Sequence, residues 1–273
     1  MRKTREGLGR VAAMPHVVWS VLFIVVPLLF VIYYTFTTYE GNFTFENIFA
    51  LKEHIGTFIL SISLSVIATF ICFIIGYPLA YIISRSKESS QKIMLMLLML
   101  PMWTNLLIRT YSMMAIMDDG GFLNTILGYL SLGKVHLIGT KGAVIFGMVY
   151  DFLPYMVLPI YTTISKLDNN LLEAAGDLGC NHFQAIFKVI FPLSSSGIVS
   201  GVTMVFVPSI STFYISQKLG GGTFELIGDT IERQFQNTTT YNIGAAISLV
   251  MMVLVLISLA IMNRFAENEG DSK

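Results

Sequence analysis

The stretch LLEAAGDLGCNHFQAIFKVIFPL, residues 171–193, lies between two long apolar runs and is too polar to be a third. Leu171, Leu172, Ala175 and Leu178, then Phe183, Ile186, Phe187 and Ile190, recur at helical spacing. That spacing predicts short amphipathic helices broken near Gly179, with Glu173, Asp177, Asn181 and Gln184 at other positions. Ala174, Ala175 and Gly176 are small enough to let a helix lie close in a partner's groove, and Gly179 supplies a turn that a bulky residue would strain. Glu173 sits near a helix start, where a carboxylate suits the dipole. From these residues alone the stretch is either an ordinary surface helix between two spans or a docking element.

The composition around it decides the solvent. Of 273 residues, 54% are hydrophobic and only 12% charged, with a mean hydropathy of +0.70. A soluble domain is normally about one quarter charged, so this is a polytopic membrane protein. A formal net charge of +0 argues against a nucleic-acid partner, which normally demands a basic surface. Cys72 lies in an apolar run and Cys180 in the 171–193 stretch, and no disulfide is expected between them. The basic N-terminus before the first apolar run has the look of a signal peptide. That run is too long for one and no small-residue cleavage site follows, so it reads as a retained span.

Six runs reach the roughly 20 residues that cross a hydrocarbon core of about 30 Å. They are 17–36, with Pro27 as a tolerated kink, 57–83, 93–117, interrupted by Pro101, 142–165, 194–216 and 243–262. The polar stretch 171–193 falls between the fourth and fifth. The expected fold is therefore an all-α membrane domain over 1–273. With both ends on one side, that side holds Arg2, Lys3, Arg5, Arg10, Arg85, Lys87, Lys92, Lys166, Lys188, Arg264 and Lys273. The other holds only Lys52, Lys134, Lys141, Lys218 and Arg233. The basic excess places both termini and the 171–193 stretch in the cytoplasm. Outside lie Glu40, Glu46, Glu53, Asp118, Asp119, Glu225, Asp229 and Glu232, an acidic excess that would draw a cationic solute.

Nothing in the chain looks catalytic. His16, His54, His136 and His182 are scattered, no cluster has metal-ligand spacing, and no phosphate-binding Gly-x-x-x-x-Gly-Lys-Ser/Thr loop is present. Any energy from ATP or a gradient must therefore reach the chain through a partner or an ion. Asp151 is an ionisable group deep in a span, which is costly unless it faces a cavity or a counter-charge. On a helical wheel Gly147, Asp151, Pro154, Tyr155 and Thr162 share one face, which suits a watery path. The alternative is a structural pair with Arg109, itself placed to snorkel to the interface. Trp103, Tyr111, Tyr150, Phe213 and Tyr214 are candidates for an aromatic box around an aliphatic cation, or else packing residues. Asp118-Asp119 before Gly120-Gly121 reads as an exposed turn or as a carboxylate pair at the outer entrance, with Glu225 on the same side.

Glu173-Ala174-Ala175, with Gly176, Gly179 and the closing Pro192, resembles the EAA loop of ABC-importer permeases; Val189 and Phe191 depart from it only within apolar character. PMWTNLLIRTYSMM (101–114), GMVYDFLPYMVLPIYTTISKLD (147–168) and FVPSISTFYISQKLGGG (206–222) narrow the likeness to the first membrane subunit of spermidine/putrescine importers. The resemblance implies a type I importer permease of six helices in the bacterial inner membrane, with a cytoplasmic coupling helix between helices 4 and 5. It implies two ATPase subunits that bind ATP and Mg, a second homologous permease and an extracytoplasmic polyamine-binding protein. No cofactor is expected in this chain. The rival readings are the same fold carrying an anion, metal chelate or vitamin, and an ion-driven secondary transporter. The latter calls for several intramembrane carboxylates.

Overall fold

Inside lipid a backbone must satisfy its own polar groups, and long uncharged runs do so by forming helices. The computed structural model describes residues 14–131, 133–168 and 170–270, and these are almost all helix. Arg2, Lys3, Arg5, Arg10 and Lys273 of the charge count lie outside the described residues. Among the described residues four helices are long and apolar enough to cross a bilayer, or up to six spans if each of two bent pairs counts as one crossing. The chain forms two compact units, Met1–Ile55 with Thr230–Leu254, and Gly56–Asp229 with Val255–Lys273.

In the first unit, helix α1 (Met14–Thr35) exposes most of its apolar side chains, including Trp19, Phe23 and Phe30. It widens to a π-turn at Val21–Val25, just before Pro27. A proline has no N–H to return to the preceding turn, and here Val26 donates instead to the Val21 carbonyl, five residues back. The predicted kink is thus a local widening. The end of α1 is closed by two amides. Asn47 Nδ2 donates to the Thr35 and Thr37 carbonyls at 3.0 and 2.9 Å, and Asn242 Nδ2 donates to those of Thr37 and Tyr34. Tyr34 meets Tyr241 edge to face at 5.0 Å.

The second unit is built on helix α2 (Ile55–Arg85), the bent pair α3 (Glu88–Trp103) and α4 (Leu106–Met117), a short α5 (Phe122–Tyr129) and the long α6 (Lys141–Ile164). It continues through α7 (Asn170–Asp177), α8 (His182–Leu193), α9 (Ser195–Ser211), α10 (Tyr214–Leu219) and the start of α11 (Ile227–Gln236). Helix α12 (Tyr241–Gly270) ends the described chain. Its core is α6, with Val144, Met148, Met156, Val157 and Ile160 fully buried. Helix α9 lies against it through Gly197 and Gly201, four residues apart. A Cβ on Gly201 would come within 3.0 Å of the Met156 carbonyl oxygen, and one on Gly197 within 2.9 Å of that of Pro159. Small residues let two membrane helices approach this closely.

The structure corrects two predicted spans. The run 93–117 is not one helix: Glu88–Trp103 meets Leu106–Tyr129 at 93°, and the break falls after Trp103, not at Pro101. Thr104 and Asn105 are extended, and the Asn105 side chain caps the restart by accepting from the Leu107 N–H at 2.8 Å. The run 194–216 breaks likewise after Ser211. Gly228 passes so near that a Cβ there would sit 2.7 Å from the Ser211 carbonyl oxygen, and the chain turns into α10.

Candidate functional site

The 171–193 stretch forms a helix-turn-helix elbow whose every joint is written in local sequence. Asp168 Oδ1 accepts from the Asn170 N–H at 3.0 Å as α7 starts, and Glu173 lies in its first turn. At its end Gly179 takes φ +82, with Gly179 N–H bonded to the Gly176 carbonyl and Cys180 N–H to that of Ala175, both at 2.9 Å. This is the glycine-closed helix end in which a left-handed residue lets two later N–H groups fold back onto free carbonyls. Asn181 and Gln184 then start α8 reciprocally: Gln184 N–H donates to Asn181 Oδ1 at 2.8 Å, and Asn181 N–H to Gln184 Oε1 at 3.0 Å. A second π-turn, Ile186–Ile190, again precedes a proline, Pro192.

What the elbow presents is equally specific. Ala175 is buried, while Glu173, Ala174, Gly176, Gly179 and Pro192 are exposed. So are Leu178, Phe183 and Phe187, at 85%, 72% and 65%. Large apolar groups this bare on a polar connection mark a surface meant to be covered. Helix α8 leaves α9 at 71°, so if α9 crosses the bilayer, α8 runs close to its plane. The elbow is tied back to α2, where Tyr77 and Ser194 share a 3.1 Å hydroxyl hydrogen bond and Phe191 packs against Phe73 and Tyr77.

Asp151 does not face open water. It is 2% exposed, and its Oδ1 lies 2.6 Å from Nε of Arg109, whose side chain is 11% exposed. The approach lies off the N–H axis and no described residue donates a hydrogen bond to either Asp151 oxygen, so the attraction is charge to charge. Arg109 Nη1 also donates to the Pro101 carbonyl at 2.6 Å, and its guanidinium lies 5.9 Å from the Tyr150 ring centre. Arg109 therefore does not snorkel. Because α4 restarts at Leu106, Arg109 sits in its first turn, beside the free carbonyls that end α3, and it clasps them to α6. The predicted watery face of α6 is closed at Gly147 and Asp151 and open only at Tyr155 and Thr162. Gly147 is covered by Ile215 and Leu219 of α10. Arg109 and Tyr150 do border a cavity of about 380 Å³, which Ser112 and Thr104 also line.

The five aromatic candidates do not make one box within this chain. Tyr150 stands by Arg109, and Tyr155 pairs with Phe152 at 6.3 Å. Trp103 and Phe213 are exposed, without a ring partner among the described residues. Tyr111 and Tyr214 do meet, at 6.2 Å, and hold Lys218 between them. The Tyr111 side chain, as acceptor, pushes the Lys218 ammonium above its ordinary pKa. The signal for Lys218 is in the sequence, because Tyr214 and Lys218 are one helical turn apart and share a face.

The acidic residues are also redistributed. Asp118 and Asp119 do form a turn, with Gly121 N–H bonded to the Asp118 carbonyl at 2.8 Å, but Asp119 pairs with His136 Nδ1 at 2.8 Å. Asp229 is buried at 6%, accepting from Ser216 Oγ at 2.8 Å and from Leu226 N–H at 2.7 Å. It braces the turn into α11 and adds nothing to an acidic surface. Glu225 is half-buried.

Comparison with known proteins gives this helical membrane domain a family. Residues 73–268 match the model of the binding-protein-dependent transport system inner membrane component, and the chain belongs to this family. It is 41% identical over 248 residues to the spermidine/putrescine transport system permease protein PotB of Haemophilus influenzae, covering 87% of this chain and 86% of that one. Its fold matches that of a bacterial ABC transporter involved in import of the acidic polysaccharide alginate. There the TM-score is 0.83 at 16% identity, over 97% of this chain and 96% of the other. A bacterial alginate ABC transporter in complex with an alginate pentasaccharide-bound periplasmic protein matches with a TM-score of 0.79, again at 16% identity and the same coverage.

Proposed function

We propose that this chain is the permease subunit of a polyamine importer, giving spermidine and putrescine a path across the inner membrane. The observation that carries this reading is its 41% identity, over most of both chains, to a permease named for those two cations. The chain crosses six times, with each bent pair as one crossing, and keeps both termini and the 171–193 elbow in the cytoplasm; the excess of Lys and Arg on that side supports this. Two partner ATPases supply ATP and Mg chemistry, since this chain has no phosphate-binding loop. One of them grips the elbow through Leu178, Phe183 and Phe187, with Glu173 at the rim. A second, homologous permease completes the pathway, and an external binding protein delivers the solute. Nucleotide closure pulls the elbows, and the spans shift between two packings of similar free energy.

Uptake of labelled spermidine and putrescine is the direct test, in cells that lack this gene and in the same cells with it restored beside its partner subunits. Uptake should return with the gene; equal uptake in both strains removes the polyamine assignment. Glu173→Lys tests the coupling. It should cut ATPase co-purification and transport at least tenfold while the helical content stays unchanged, and wild-type co-purification would remove the docking role.

A further inference from the structure

Helices α4 and α10 pack together, and Tyr111 of the first meets Tyr214 of the second edge to face, with ring planes at 81°. One turn beyond Tyr214, Lys218 folds back to the same spot. Its Nζ lies 5.2 Å from the Tyr111 ring centre and 5.8 Å from that of Tyr214. The face of a phenol ring is electron-rich and attracts cations within about 6 Å. Among the described residues no carboxylate lies within ion-pair distance of Lys218. The ammonium is thus held over two rings, without a counter-charge among the described residues. Tyr111 is 47% exposed, so the rings that the lysine occupies are not sealed within this chain.

The chemistry of the occupant is informative. A lysine side chain is an aminobutyl group, four methylenes ending in a primary ammonium. Putrescine, and one arm of spermidine, present the same fragment. We propose that Tyr111 and Tyr214 form a receiving site for the aminobutyl end of a polyamine, and that Lys218 is its tethered occupant, which an arriving primary ammonium displaces. A tethered group competes at an effective concentration of order millimolar. The lysine therefore keeps the site filled while no solute is present and gives it up to one that makes further contacts. Which natural cation does the displacing rests on the polyamine reading above; that a primary ammonium displaces Lys218 does not.

The test uses the intact membrane complex in lipid nanodiscs, with n-butylammonium as probe, n-butanol as neutral control and saturation-transfer NMR as readout. Lys218→Met keeps the apolar stem and removes the competing charge, so it should lower the Kd for n-butylammonium at least threefold and leave n-butanol unaffected. Adding Tyr111→Leu or Tyr214→Leu to that variant should abolish the gain, and the use of both guards against one of them failing to assemble. Equal Kd in wild type and Lys218→Met overturns the proposal, as does a gain that survives in both double variants. If wild-type cells show no polyamine uptake, the transport reading fails while the n-butylammonium comparison stands on its own.

Discussion

The elbow at 170–193 and the charged clasp at Arg109 and Asp151 are both polar interruptions of an apolar chain, yet they are held together by opposite means. The hydrogen bonds that turn the elbow's backbone each span five residues or fewer: the Asn181–Gln184 exchange, the Gly179 turn, the Asp168 cap, with longer-range ties to α2 only at its far end, through Phe191 and Ser194. The clasp joins side chains from two helices and a carbonyl from a third. A motif of the first kind survives whatever the rest of the molecule does and can serve as a rigid handle. One of the second kind exists only in a given packing of spans, so it reports on that packing and resists changing it.

The sharpest way to break this contrast is Arg109→Ala, which leaves the Asp151 carboxylate buried without a counter-charge at a cost of about 3–5 kcal/mol. The thermal inactivation midpoint of the purified complex should fall steeply, and adding Asp151→Asn to the same chain should recover most of the loss. No recovery would show that the pair is not the source. Gly201→Val presses methyl groups into the Met156 backbone and should cost about 1–3 kcal/mol in the same assay, separating α9 from α6 with the elbow left intact. Gly179→Ala, with φ +82 imposed on a residue carrying a Cβ, should cost about 1–2 kcal/mol. Its effect should appear in ATPase co-purification before it appears in the melting of the spans. Smallest is Asn181→Ala, which removes one cap at about 1 kcal/mol and should raise amide hydrogen exchange in residues 182–186 alone. Exchange rising throughout the chain would mean the elbow is not an independent unit.

The same division explains what could be read from the sequence. Helical spacing and a single glycine suffice for the elbow, and uncharged runs suffice for the membrane helices, because both follow from near neighbours. The break in the third run was placed at Pro101, where a hydrogen bond is missing, but the chain turns two residues later, where Asn105 can cap a new start. Asp151 was legible as costly, and Arg109 only as one of two answers, since nothing in the spacing tells which helix lies opposite. Asp229 counted as surface charge until Ser216 and the Leu226 N–H were seen to enclose it. Of the aromatic candidates two meet, Tyr111 and Tyr214, and the cation between them comes from the protein itself.

The carbonyls that end α1 wait for a donor 205 positions downstream, the amide of Asn242. At a synthesis rate of roughly 5–20 residues per second, that donor emerges about 10–40 s after the helix it closes. During this interval the first segment sits in the bilayer with its C-terminal end only partly satisfied, by Asn47. Its final seating is thus coupled to the arrival of the last segment, and a truncation before Tyr241 would leave the beginning of the protein, not merely its end, unfinished.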